Sequence, residues 1–248
     1  MRIIISPAKK MNVDTDSLPY RDKPVFLSQA EQIALALQGM SREELRQLWK
    51  CNDSILAENI ERLSHLDLNS RLTPALLAYE GVQYRYMAPR VFTNQEFDYV
   101  QKHLRIISGF YGVLKPFDGV TPYRLEMQAK LNLCEMNNLY SYWGENISNH
   151  ICSETDCIIN LASKEYSICV SKHLRPGVRF ISCVFGEEKD GRVVEKGTVC
   201  KMARGEMVRY MAEHQIEKPE DICTFARLGY SFDAERSDAE TYVFLKRG

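Results

Sequence analysis

Four short stretches of this chain place basic and polar side chains directly after apolar runs, and those side chains could do chemistry. The first is "IIISPAKKM", which delivers Ser6, Lys9 and Lys10 where three isoleucines end. The second, "TPYRLEMQAKL", carries Arg124, Glu126 and Lys130. The third, "NLASKEY", carries Asn160, Ser163, Lys164, Glu165 and Tyr166. The fourth is "CKMARGEMVRY", with Lys201, Arg204 and Arg209. Lysine and arginine gathered in one cleft would bind an anion, arginine in a two-pronged fashion where the anion is a phosphate or carboxylate. Glu126 or Glu165, with Tyr166 and Lys9, would supply an acid–base group. A carboxylate among lysines has its ionised form favoured, which suits a base better than an acid. For any one of these charges the ordinary alternative is a solvated face, or a pairing with Glu126, Glu187 or Glu206.

A fifth stretch also bears on polyanions. "HLRIISGFYGVLKPFDG" (103–119) holds the Gly109-x-x-Gly112 spacing of a helix-hairpin-helix element, in which backbone N–H groups hold a phosphate without reading bases. The competing reading is a strand, "LRIIS", followed by a glycine turn, and the β-branched Ile106 and Ile107 favour it.

The elements that must position these groups are legible from periodicity and caps. Ile3–Ile5 reads as a buried strand, and 12–27, with Pro19 and Pro24, as a long loop. "SQAE" (28–31), "SREE" (41–44) and "TNQE" (93–96) read as capping boxes, the first opening a helix that stops at Gly39 and the last a helix through about His103. Asp53 is placed to cap "ILAENIERLSHL", apolar at helical spacing. "CIINLAS" (157–163) reads as a buried strand, and the run from Val178 as a hairpin turning at Asp190-Gly191. A helix over about 203–215 and a final strand, "TYVFLKR", complete the pattern. Arg204 and Arg209 lie about 140° apart on such a helix, whereas Lys201 and Arg204 share a face only if it starts early. The expectation is a mixed α/β (α+β) fold over 1–248, one compact unit with a mixed sheet surrounded by helices.

Composition bounds the rest. In 248 residues, 45% are apolar and 26% charged, the balance of an ordinary globular protein long enough for a sizeable core. The net charge of −1 excludes a protein that coats nucleic acid by bulk positive charge. Residues 1–130 carry 17 basic against 15 acidic residues and the remainder 15 against 18, so any polyanion site must be a local cleft. No apolar run approaches the roughly 20 residues of a membrane span, and no signal-peptide core precedes Ser6. A cytoplasmic location follows as the expectation. Eight cysteines include no C-x-x-C, and Cys169, Cys183 and Cys200 sit in apolar strings where a reduced thiol acts as a small hydrophobe. With five scattered histidines and no Glu-x-x-His pair, neither a metal site nor a cofactor is expected.

Taken together, "ISPAKKM", "RIISGFYGVLKPFDGVTPYRLEMQAKL", "INLASKEY", "FGEEKDG" and "KMARGEMVRYM" closely resemble the YaaA family of peroxide stress proteins, in order along the whole chain. Small departures fall at "EMQAKL", where the family usually shows Gly-Thr before the basic residue, and at Glu206, where an apolar residue is common. The resemblance implies a cytosolic protein of the peroxide response that lowers damaging free iron and limits oxidative DNA damage. It also implies an unusual α/β fold, a helix-hairpin-helix element at about 93–118, and a positively charged cleft that binds DNA largely independently of sequence. On that reading the DNA or anion contacts are Lys9, Lys10, Gly109, Gly112, Arg124, Lys130, Lys164, Lys201, Arg204 and Arg209. No obligate protein partner is expected. The alternative is an enzyme acting on a nucleic acid or a phosphorylated, nucleotide-like substrate in the same cleft, with Glu126, Glu165 and Tyr166 as candidate catalytic groups.

Overall fold

Three consecutive isoleucines explain the centre of the molecule. Ile3, Ile4 and Ile5 are fully buried in β1 (Arg2–Ile5), which a computed structural model describing residues 1–246 places in the middle of an eight-stranded sheet. β1 is flanked by β2 (Leu104–Ser108) and by β4 (Cys157–Leu161), both parallel to it. All five residues of each flanking strand are buried, the continuous apolar pattern of parallel strands covered on both faces. β5 (Arg179–Lys189) follows β4 in parallel, and β8 (Thr241–Lys246) follows β5. Antiparallel strands close both edges: β3 (Gly112–Leu114) on β2, and β7 (Tyr230–Phe232) on β8. β6 (Arg192–Val194) pairs with the outer end of β5 alone, through a turn at Asp190-Gly191 where both residues have positive φ. Arg247, the last residue of the expected final strand, lies outside the described residues.

The five parallel strands are visited in the order 2-1-3-4-5 across the sheet, so the chain reverses direction between β1 and β4. In such sheets a crevice opens beyond the carboxyl ends of the two strands at the reversal, and ligands bind there. Two further two-stranded pairs flank the sheet, one joining Lys10–Met11 to Tyr79–Glu80 and one joining Thr73–Pro74 to Gly119–Val120.

The helices start largely where their caps predict. Ser41 and Thr93 form reciprocal capping boxes with Glu44 and Glu96, opening α2 (Arg42–Trp49) and α5 (Asn94–His103). "SQAE" does not cap: α1 (Leu27–Gln38) begins from Phe26, two residues before a Ser28 cap would start it, and the Ser28 hydroxyl turns to Gln29 instead. Asn52, not Asp53, caps α3 (Asp53–Ser64), its side chain accepting from the Ile55 N–H. α4 (Val82–Met87), α6 (Asn146–Glu154) and α7 (Lys164–Ser171) are short. α8 (Gly197–Glu213) starts about six residues before the expected 203. Cys200, Ala203, Met207, Val208, Met211 and Ala212 are all buried, and this helical spacing extends back through the segment.

The helix-hairpin-helix expectation fails. Gly109 and Gly112 bracket a turn between two strands, with Ile106 opposite Leu114 and Ser108 opposite Gly112. β-branched residues beside β1 gain more from sheet pairing than from a helix. The Ser108 hydroxyl accepts the N–H groups of Phe110 and Tyr111, so the turn's donors are already engaged. Every residue from 104 to 114 is buried. This backbone cannot reach a phosphate, and Gly109 and Gly112 are withdrawn as contact residues. Gly112 takes φ +73° against the Trp143 and Phe26 rings, where a Cβ would collide. Gly109 lets the backbone of Leu125–Met127 lie against the turn.

Candidate functional site

The crevice between β1 and β4 is occupied first by a serine pair. The Ser6 hydroxyl, just past β1, accepts the Ser163 N–H at 2.9 Å and lies 3.2 Å from the Ser163 hydroxyl, just past β4. Asn160 shapes this turn by accepting the Ala162 N–H. From here a cavity of about 340 Å³ extends, walled by Tyr84, Tyr123 and Tyr166, each under 9% exposed, with Gln83, Glu165 and Glu126 on its surface. A wider groove of about 830 Å³ adjoins it, running past the C-terminal end of α2 and the 126–132 segment. Three residues line both spaces: Lys9, Arg124 and Glu126.

Each wall is held by identifiable contacts. Tyr84 donates to the Ser6 carbonyl. The Tyr123 hydroxyl lies within hydrogen-bond distance of Tyr79 and Ser108, and its ring stacks on Phe110. The wall opposite β1 depends on one glycine. A Cβ on Gly205 of α8 would overlap the Gln83 carbonyl of α4, so only glycine allows these helices the approach that brings Lys201 and Arg204 to the cavity. With α8 starting at Gly197, Lys201 and Arg204 do share a face.

The cations are less free than their number suggests. Lys9 Nζ lies 2.8 Å from Glu126 Oε1, and Arg124 Nη2 is 3.9 Å from the same oxygen. Lys10 sits opposite Glu80 in the short strand pair, with Nζ 2.7 Å from Oε2. Arg204 reaches Glu195 at 3.3 Å. Among the described residues no ion pair engages Lys201, Lys130 or Lys50, and the last, in the outer groove, was missed by sequence reasoning. Nothing in "LWKCN" distinguishes it from a helix-end lysine. Two expected contacts fall away from the cavity and groove: Lys164 is exposed and lines neither, and Arg209 pairs along α8 with Glu213 at 2.7 Å. The 140° between Arg204 and Arg209 is the reason. Tyr84 and Gln83 are further residues without a sequence signal, because "GVQYRY" reads as any half-buried helix.

Burial pushes the Glu165 carboxyl above the ordinary glutamate range, with Glu126 repelling its charge and the Gln128 and Met127 N–H groups and Lys9 opposing the shift. Burial also raises the Tyr166 phenol far above its usual range. The candidate catalytic groups Glu126, Glu165 and Tyr166 thus share one cavity, as do Lys9, Lys10, Arg124, Lys201 and Arg204. Lys130 lies on the outer groove. Among the described residues, three buried side-chain polar atoms have no hydrogen-bond partner: Trp49 Nε1, Arg124 Nε and Arg204 Nε. All three are N–H donors, and all three residues line this cavity or groove.

Cys169, Cys183 and Cys200 are buried free thiols, and burial raises all three, Cys169 and Cys200 to about 12. Among the described residues no three His, Cys, Asp or Glu side chains gather as a metal site, and no helix is long and apolar enough to cross a membrane.

The family model for peroxide stress protein YaaA matches residues 1–236. The chain is also 53% identical over 247 residues to a UPF0246 protein of Agathobacter rectalis, covering 100% of this chain and 99% of that one. It is 54% identical over 246 residues to a UPF0246 protein of Desulfitobacterium hafniense, covering 99% and 98% of the two chains. Similarity at this level, running from end to end, reaches every wall of the cavity, and the chain belongs to the peroxide stress protein YaaA family.

Proposed function

We propose that this protein serves the peroxide response by binding DNA along the outer groove, in the cytoplasm, and so limits iron-driven oxidative damage to it. One observation carries the reading. The three buried N–H donors without partners belong to residues that line the groove (Trp49), the cavity (Arg204) or both (Arg124), and buried donors are otherwise satisfied almost without exception. These N–H groups are closed to solvent as the protein stands, so a ligand meets them only by shifting the Trp49, Arg124 and Arg204 side chains, and an acceptor-rich phosphate backbone is the kind of group that would satisfy them. The unpaired Lys201, Lys130 and Lys50 border the same path and add charge without base readout. The test is anisotropy of a labelled duplex across a salt series. Affinity should fall steeply with salt and depend little on sequence. Binding that ignores salt, or no binding at low salt, overturns the reading.

A second reading, turnover of a nucleotide-like substrate, draws on the Glu165 carboxyl. Burial pushes this carboxyl above the ordinary glutamate range beside Tyr166, which favours its protonated form relative to a free glutamate and suits a proton donor. Incubation of DNA carrying damaged bases, followed by strand and base analysis, tests it.

A further inference from the structure

We infer that the inner cavity holds a single nucleotide unit, with sugar and base against the tyrosine wall and the phosphate at Arg124, Lys201 and Arg204. The inference rests on the polyanion reading of the groove and assigns the space at its end.

Size sets the first limit. A cavity of about 340 Å³ lies at the small end of the roughly 300–1,000 Å³ typical of small-ligand sites, and a duplex cannot enter it. Its lining sets the second. Tyr84, Tyr123 and Tyr166 are buried, and the first two have their hydroxyls bonded within the protein, which leaves aromatic rings as the wall. Aromatic walls take bases by stacking, whatever the base. Polar groups line it too, among them Ser6, Ser163 and Glu165 beyond the strand ends. These can meet one hydrogen-bonding edge of a base. The third limit is continuity. Lys9, Arg124 and Glu126 border both spaces, so a backbone tracking the groove passes the mouth of the cavity. The unit comes either from a strand, as a nucleotide turned out of the stack, or from solution as a free nucleotide. Turning a nucleotide out costs least where it is already unpaired.

The experiment compares an intact duplex, the same duplex with one unpaired nucleotide, and deoxyadenosine monophosphate. The parent protein should bind the unpaired form at least about tenfold tighter than the intact one, a preference of about 1.4 kcal/mol. Ala8→Trp places a bulky ring at the cavity edge from the loop after β1. It should erase the preference while intact-duplex binding holds. Lys130→Ala in the groove should weaken both duplexes alike and keep the ratio. As a check that needs no variant, 2-aminopurine at the unpaired position should change its emission on binding, and a 2-aminopurine five positions away should not. Competition by the monophosphate against the unpaired form, lost in Ala8→Trp, places both ligands in the same cavity. Monophosphate binding without any duplex preference assigns the site to a free nucleotide. Equal affinity for both duplexes with no monophosphate binding overturns the inference, as does a preference that survives Ala8→Trp. Absence of salt-dependent binding to the intact duplex instead overturns the groove reading, and the monophosphate arm then decides the cavity alone.

Discussion

Lys9 Nζ lies 2.8 Å from Glu126 Oε1 at the point where cavity and groove meet, and Arg124 Nη2 lies 3.9 Å from the same oxygen. Glu126 therefore holds the place that an incoming phosphate would take. Replacing it with glutamine should strengthen DNA binding by roughly 0.5–1.5 kcal/mol, discounted for the 63% exposure of Lys9. Titration of Glu126→Gln against a duplex at fixed salt checks this, and weaker binding would show that Glu126 supports the site.

If four to six phosphates are neutralised, the slope of log K against log salt should be about −3 to −5. Lys201→Ala should reduce that slope by about one and weaken all sequences equally. Arg204→Ala should do less, because Glu195 already engages it. Lys164→Ala and Arg209→Ala should behave as the parent does. An effect at Arg209 as large as at Lys201 would mean that DNA contacts a different face.

Glycine substitutions separate packing from contact. Gly112→Val should lower stability by about 3 kcal/mol or more, since it strains a positive φ and pushes into Trp143. Gly205→Ala should force α8 from α4, lowering the melting temperature and weakening binding together. Calorimetry alongside anisotropy tells these apart. A well-folded Gly112→Val that has lost only DNA binding would restore the hairpin contact rejected above.

Asp118 is buried under the Lys115 loop, and burial raises its carboxyl to about 6. A raised carboxyl binds its proton more tightly in the folded state, so its contribution falls as pH rises from about 4 through 6. The shift from 3.8 corresponds to about 3 kcal/mol. Asp118→Asn should remove this slope, read as the difference between variant and parent denaturation curves at pH 4, 5, 6 and 7. A pH-independent difference rejects the assignment.

The buried thiols should be inert. Native protein should leave Cys169, Cys183 and Cys200 unmodified by a thiol reagent, while denatured protein exposes all eight cysteines. Elemental analysis after dialysis should find no stoichiometric zinc or iron.

The sequence alone determined much of the frame. Short β-branched runs such as Ile3–Ile5 and Cys157–Leu161 favour buried strands, and the boxes at Ser41 and Thr93 cap locally, so both follow from neighbours in the chain. It also marked Ser6, Lys9, Arg124, Glu126, Ser163, Glu165, Lys201 and Arg204, because polar residues after apolar strands stand out. Tertiary structure alone decided which of them meet and in what state. The Gly109-x-x-Gly112 spacing fits two local structures, and pairing of Leu104, Arg105 and Ile106 with Ile3, Ile4 and Ile5 far back in the chain selected the strands. Engagement of Lys10 by Glu80, and of Arg204 by Glu195, depends on contacts between elements. Only the approach permitted at Gly205 joins α8 to α4, and with it Gln83 and Tyr84 enter the wall. Charge sign is written in each residue, but whether a charge is free to bind depends on what the fold sets beside it.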